Sequence, residues 1–258
     1  MIGPGRAGLS LSRALEWAGW RVEPPLGRAD DLRGAARGVD FLVVATPDRA
    51  IAEVAASVEP EPETVVAHLA GSLGLDALEP HARRAAVHPL VAMPDPDTGA
   101  RRLRGAWFAV AGDRRAQELV EAVGGRWFTV RDEDRAVYHA AACIASNHLV
   151  ALLGQVERVA AEAGVPYEAY LDLARATLDN VATLGPAAAL TGPAARGDTG
   201  TIARHVAALD PEERPAYEAM AARARRLVDS PGGLGVPLGA EAGDGAPAGR
   251  TGMEPACR

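Results

Sequence analysis

Three groups of residues in this chain have the types and spacing to do chemistry. The first is Met1-Ile2-Gly3-Pro4-Gly5-Arg6-Ala7-Gly8, a Gly-x-Gly-x-x-Gly run. Between a strand and a helix, such a run turns tightly at its first glycine, admits a pyrophosphate at its second, and lets helix and strand pack closely at its third. The helix start then offers unpaired N–H groups and a partial positive charge to the phosphates. Gly3, Pro4, Gly5, Arg6, Ala7 and Gly8 are therefore candidate cofactor contacts. At the end of the second strand an acid would grip a ribose 2′-hydroxyl, whereas an arginine would accommodate a 2′-phosphate. Glu23 is near that spacing, but Pro24 and Pro25 follow it and the turn carries Arg28, which favours NADP(H).

The second group lies on a long helical pattern. His139, Cys143, Ser146, Asn147 and Val150 fall at offsets 0, 4, 7, 8 and 11, along one side of a helix. Asn147 can both donate and accept, so it suits a carbonyl oxygen or a nicotinamide amide, and Ser146 suits a proton relay. Either could instead satisfy neighbouring backbone groups. Cys143 reads as a small core residue. The third group is Thr191-Gly192-Pro193-Ala194-Ala195-Arg196-Gly197-Asp198. Here Arg196 offers a planar fork to a substrate carboxylate, with Thr191 beside it. Asp198 would orient that arginine or cap the helix bearing Thr201 and His205. His68 and His88, each at a strand end, complete the set. An unperturbed imidazole near pH ~6.5 suits proton transfer, although a strand-end histidine also serves as a hydrogen-bonded structural group.

The elements that must position these groups alternate at first between strand and helix. Leu9, Leu11, Ala14, Leu15 and Ala18 give an amphipathic helix closed at Gly19, and Trp20 to Glu23 reads as a strand. Phe41 to Ala45 is a buried parallel strand by its unbroken apolar run, so Ala45, Thr46 and Pro47 at its end should face the cofactor. A helix over Ile51 to Val58 follows, then strands at Thr64 to Leu69, Ala85 to His88, Trp107 to Ala111 and Arg126 to Val130, with a helix at Ala116 to Val123. Only Met1 and Ile2 precede Gly3, where a strand ordinarily has about five or six residues, so the first strand is expected to be truncated. Residues 1–131 thus read as an α/β Rossmann-like, doubly wound parallel sheet. Helical periods then cover Glu133 to Ala163, Tyr167 to Leu184, Gly200 to Ala208 and Pro211 to Val228, so residues 132–230 form an all-helical second domain. Residues 231–258 collapse to Gly, Ala and Pro and read as a disordered tail.

Composition narrows the function classes. A net charge of −7 argues against a general nucleic-acid surface. With 48% hydrophobic residues, no apolar run near bilayer length and no signal-peptide pattern, the expectation is a cytoplasmic enzyme without a membrane segment. Cys143 and Cys257 lack metal-ligand spacing, so no metal site is expected. Every basic side chain is arginine, so no lysine is present to act as proton donor.

Beyond the glycine turn, His68-Leu69-Ala70-Gly71-Ser72, Val87-His88-Pro89-Leu90, Ala145-Ser146-Asn147 and the Leu190 to Asp198 segment resemble bacterial proteins that pair a Rossmann-like domain with a DUF2520 helical domain. The resemblance covers residues 1–228. It implies kinship with the 6-phosphogluconate dehydrogenase superfamily of NAD(P)-dependent reductases, which includes ketopantoate reductase. His88 resembles the His-Pro element of prephenate dehydrogenases, and Ser72 stands where those enzymes carry a serine. The implied function is NADPH-dependent reduction of a small 2-oxo acid, with 2-dehydropantoate leading. Asn147 and Ser146 would hold the carbonyl oxygen, a histidine (His88 or His139) would supply the proton, Arg196 would bind the carboxylate, and a homodimer would form through the helical domain. The alternatives are a dehydrogenase of prephenate or arogenate, an imine reductase, and an NADP(H)-binding protein without turnover. Relatives that use a lysine as proton donor have no counterpart to it here.

Overall fold

The computed structural model describes residues 1–229, so the expected tail at 231–258 lies outside the described residues. The chain divides into two compact units, one beginning at Met1 and running to Cys143, the other beginning at Ile144.

The first unit is built on a five-stranded sheet. Its strands are β1 (Phe41–Val44), β2 (Val65–His68), β3 (Arg84–Pro89), β4 (Trp107–Gly112) and β5 (Arg126–Thr129), in that spatial order. β1, β2 and β3 run parallel and β4 runs parallel to β5. The β3 to β4 pair is antiparallel, so the doubly wound sheet is parallel in every pair but this one. Burial on both faces explains the unbroken apolar strands. Val43, Val65, Ala67, Val87, Phe108 and Val110 pack on one side with Leu11 and Leu15 of α1 (Arg6–Trp17) and Leu119 of α4 (Ala116–Ala122). Leu42, Val44 and Val66 pack on the other with Ile51 and Ala55 of α2 (Asp48–Ser57). A further helix, α3 (Pro96–Leu103), has no counterpart in the sequence reading; Asp95 caps it by accepting from the Thr98 N–H.

The first strand is reduced to one paired residue. Ile2 bridges Leu26 on one side and Val44 on the other, both in parallel sense. The Ile2 N–H donates to Val43 O, the Ala45 N–H to Ile2 O and the Gly3 N–H to Leu26 O, each at 2.8 Å. The strand expected at Trp20 to Glu23 does not form, since Pro24 and Pro25 have no N–H to give a ladder, and pairing begins only at Leu26.

Residues 132–162 form one helical stretch: a 3₁₀ turn, α5 (Arg135–Cys143), a π-turn (Ile144–His148) and α6 (Leu149–Glu162). The stretch contains an 18-residue window of mean hydropathy 1.4, none of it buried, long and apolar enough by length and composition to cross a membrane. Alanines raise the hydropathy of this window, and Ser146, Asn147 and His148 interrupt its apolar run. The second unit continues with α7 (Tyr167–Leu184), α8 (Pro186–Ala189), α9 (Pro193–Arg196), α10 (Thr199–Ala208) and α11 (Arg214–Asp229). Few of its side chains are buried. Ala160 is its buried apolar residue among those described, while Val150, Leu173, Leu178 and Leu184 are each more than half exposed.

Candidate active site

The direction of the chain changes between Ile2 and β1: α1 carries it outward to Leu26, and it then crosses back to β1 on the other side of Ile2. Ligands in open α/β sheets bind at such a switch point, beyond the carboxyl ends of the strands. The glycine loop lies there, and its three glycines do three different things. Gly3 has φ +101°, and a Cβ on it would stand 2.7 Å from Ala45 O. A Cβ on Gly8 would strike Gly3 O, so α1 can sit this close to the turn only with glycine. Gly5, the N-cap of α1, faces open space, with nothing within 4 Å of where its Cβ would be.

No side chain caps α1 and its first turn holds no acid, so its N–H groups and positive end stay available to an anion. Pro4, Gly5 and Arg6 are exposed, and Ala7 is half-buried. Ala45, Thr46 and Pro47 follow β1 as expected, and Thr46 Oγ1 is buried beside the loop without a partner. An open cradle, free helix N–H groups and an orphaned hydroxyl fit the pyrophosphate end of a dinucleotide. Arg28 is exposed two residues past the Leu26 bridge, free to meet a phosphate.

The neighbouring strand ends carry the titratable groups. His68 is fully buried, accepts from the Ala70 N–H at Nδ1, and through Nε2 donates to Gly74 O, both at 3.2 Å. These two bonds brace the loop after β2. Burial lowers its pKa, with Arg135 adding to that effect. Ser72 Oγ donates to Asp48 at the start of α2, a long bond of 3.4 Å that ties two strand-end loops together.

His88, near the end of β3, has its Nδ1 2.6 Å from the Tyr138 hydroxyl and its ring edge-on to His139, with centroids 5.6 Å apart. Gly71 makes room for this, since a Cβ there would meet both histidine rings. Burial, then His139, Arg135 and His68, push the His88 pKa down to about 4. The imidazole expected to titrate near neutrality is thus held neutral, because a second proton would be desolvated among other positive groups. Burial pushes the Tyr138 hydroxyl up to about 12, with Arg135 working in the opposite direction.

Tyr138 and Arg135 are absent from the sequence-derived site. Arg135, Tyr138 and His139 stand at i, i+3 and i+4 on α5, a spacing that marks one face and could have found them. The Arg135 side chain is wholly buried, and all three of its nitrogens lack a hydrogen-bond partner. Asp132, its one carboxylate within 4 Å among the described residues, stands 3.7 Å away and accepts the Leu75 N–H instead.

The other candidates belong to the second unit. Ser146 and Asn147 are exposed within the π-turn. Because that turn inserts an extra residue into the helix, the straight stripe expected from His139 to Val150 does not hold beyond Cys143, whose sulfur lies 4.0 Å from His139 Nε2. Thr191 is exposed, and Arg196 is exposed at the end of α9 between Gly192 (φ +92°) and Gly197 (φ +68°). Asp198 takes the capping role, accepting from the Thr201 N–H and hydroxyl at 2.9 and 2.7 Å. No cluster of metal-binding side chains occurs among the described residues.

Comparison with known proteins adds two findings. Residues 107–224 match the family model DUF2520, a domain of unknown function, whereas no curated protein sequence matches the chain. The fold is similar to that of protein TM1727 from Thermotoga maritima, at 21% identity and TM-score 0.67, covering 89% of this chain and 98% of that one. It is similar to BF3122 from Bacteroides fragilis, proposed as an NADP oxidoreductase, at 20% identity and TM-score 0.70, covering 87% and 96%. A reductive aminase from Aspergillus terreus, solved with NADPH and ethyl levulinate, matches at 16% identity and TM-score 0.61, covering 87% and 92%. Together with the sheet and its switch point, these likenesses establish a Rossmann-like fold followed by a helical region, with the match to the DUF2520 model running from β4 into α11.

Proposed function

We propose that this chain is a cytoplasmic NADP(H)-dependent oxidoreductase that reduces a small 2-oxo acid, with 2-dehydropantoate as the leading substrate. The observation that carries the reading is the division of labour in the glycine loop, closed at Gly3 and Gly8 and open at Gly5. The likeness to proteins that bind NADPH or are proposed to use NADP supports the cofactor, and Arg28 supports the 2′-phosphate. When bound, the reduced nicotinamide supplies a hydride. The chain's own residues must hold the oxo acid and manage one proton. In this reading Arg196 and Thr191 anchor the carboxylate, Asn147, Ser146 and Ser72 contact the rest of the oxo acid, and His88 and His139 belong to the proton path. Helices α6 and α7, with Val150, Leu173 and Leu178 exposed, pair with a second copy to form a homodimer.

The test is an NADPH titration run beside an assay of NADPH oxidation with 2-dehydropantoate. Gly5→Ala has space for its methyl, so it should melt within a few degrees of the parent yet bind NADPH at least ~10-fold more weakly, because the methyl occupies the approach to the pyrophosphate. Equal affinity in Gly5→Ala would remove the dinucleotide reading. His88→Ala and Asn147→Ala should each lose turnover while retaining cofactor. Oxidation of prephenate or arogenate without reduction of any oxo acid would replace the substrate assignment. Cofactor binding with no effect of either alanine variant on any reaction would point to a protein that binds NADP(H) without turnover.

A further inference from the structure

We propose that Tyr138 is the group that delivers the proton to the substrate oxygen, and that Arg135 and His88 are its positioning partners. This rests on the reductase reading above and identifies the acid in a chain without lysine.

Reduction of a carbonyl leaves one proton to be placed on its oxygen. With a pKa of about 4, His88 carries a second proton in only about one molecule in a thousand at pH 7. Tyr138 keeps its proton throughout the neutral range. A neutral imidazole has a single N–H. Placed on Nδ1, that N–H donates to the Tyr138 oxygen across the 2.6 Å contact and leaves the phenol hydrogen free to point at a ligand. Phe128 of β5 and His88 of β3 fix the phenol ring by edge contacts, at centroid distances of 5.9 and 5.6 Å.

Arg135 accounts for how a weak acid can act. A buried guanidinium with no hydrogen bond is costly, and here it sits one helical turn before Tyr138. Among the described residues the carboxylate beside it is Asp132, 3.7 Å away and engaged by the Leu75 N–H, and a phenolate at Tyr138 is the further negative charge that would form as the proton leaves. The cation is therefore in place before the reaction, as electrostatic stabilisation of a developing anion requires. The remaining groups around the pair are His139 on the same helix, His68 on β2, and Asp132, whose carboxylate is engaged by Leu75. The balance closes as follows. The Tyr138 O–H bond breaks and its proton forms the O–H bond of the alcohol. Once the alcohol has left, the phenolate oxygen takes one proton from water, the hydroxide passing to solvent, while His88 keeps its Nδ1 proton and its hydrogen bond to the phenol oxygen. One proton enters from solvent and one leaves on the product.

The test reads Tyr138 directly in the full chain, without substrate. 3,5-Difluorotyrosine placed at position 138 lowers the phenol pKa into the range where the protein stays folded, and its ionisation is followed by ¹⁹F NMR. Arg135→Met should raise that pKa by about one unit or more, whereas Arg135→Lys, which keeps the charge, should leave most of it unchanged. An unaltered titration in Arg135→Met overturns the proposal. On the oxo acid that the protein reduces, Tyr138→Phe should lower kcat by about a hundredfold or more with KM and NADPH affinity retained. Retained kcat in Tyr138→Phe overturns it as well. If no oxo acid is turned over by the parent protein, the substrate reading fails, while the fluorine titration still decides whether Arg135 serves a phenolate.

Discussion

His88 shows how far an environment can move a residue from its sequence-level expectation. A strand-end histidine next to proline reads as a group titrating near neutrality; its location proved right and its protonation did not. What shifts it, burial among Arg135, His139 and His68, comes from three different elements and has no local signature. The shift has a consequence for stability. In the unfolded chain the imidazole binds its proton below pH ~6.5, whereas in the folded chain it does so only below about 4. Between those values the unfolded state holds more protons, so stability falls as pH drops from 6.5 to 4 and flattens below. The loss from this group is on the order of 3 kcal/mol. In urea unfolding between pH 4 and 7, His88→Asn should show a shallower pH slope than the parent. An identical slope would mean that His88 is not held neutral.

At the level of elements, strands with long apolar runs were legible because burial on both faces leaves a plain signature. The helix Tyr167–Leu184 matched its expected bounds, and β1 to β5 lay within a residue or two of theirs. The failures have specific causes. The strand at Trp20 was displaced by two prolines, the helix Pro96–Leu103 was hidden among arginines and aspartates, and the π-turn at Ile144–His148 broke a stripe that assumed 3.6 residues per turn. Of the site, the glycine loop was legible because its constraint is local, while the Tyr138, His88 and Arg135 cluster depends on α5 meeting the end of β3. In the second unit, the loop before α10 is fixed by a cap. Asp198→Ala removes both bonds to Thr201 and should lower the thermal midpoint by a few degrees. Asp198→Asn should retain most of the stability, and NADPH affinity should be the same in both. An unchanged midpoint in the alanine variant would show that the cap is dispensable.

For the whole molecule, the two units differ in how they are held together. The first has an apolar core on both faces of its sheet. Among its described residues the second buries little apolar surface besides Ala160 and keeps Leu173, Leu178 and Leu184 exposed. Helices left with so much apolar surface call for a partner, and the expected one is a second copy. Light scattering at micromolar concentration should give twice the chain mass, and Leu173→Glu combined with Leu178→Glu should return it to a monomer. A parent protein that remains monomeric at high concentration would leave those helices to another occupant. Among the described residues, the one long apolar helical stretch carries Ser146, Asn147 and His148 in its π-turn, side chains that are expensive inside a bilayer.

The buried Arg135 also bears on how this protein would respond to engineering. Replacing an interior charge that makes no hydrogen bond with a packed apolar side chain commonly makes a protein more robust. A library sorted only for heat resistance should therefore enrich substitutions at position 135. The hardiest survivors would be the poorest catalysts, and positions where endurance and turnover oppose one another would outline the working centre without any substrate in hand.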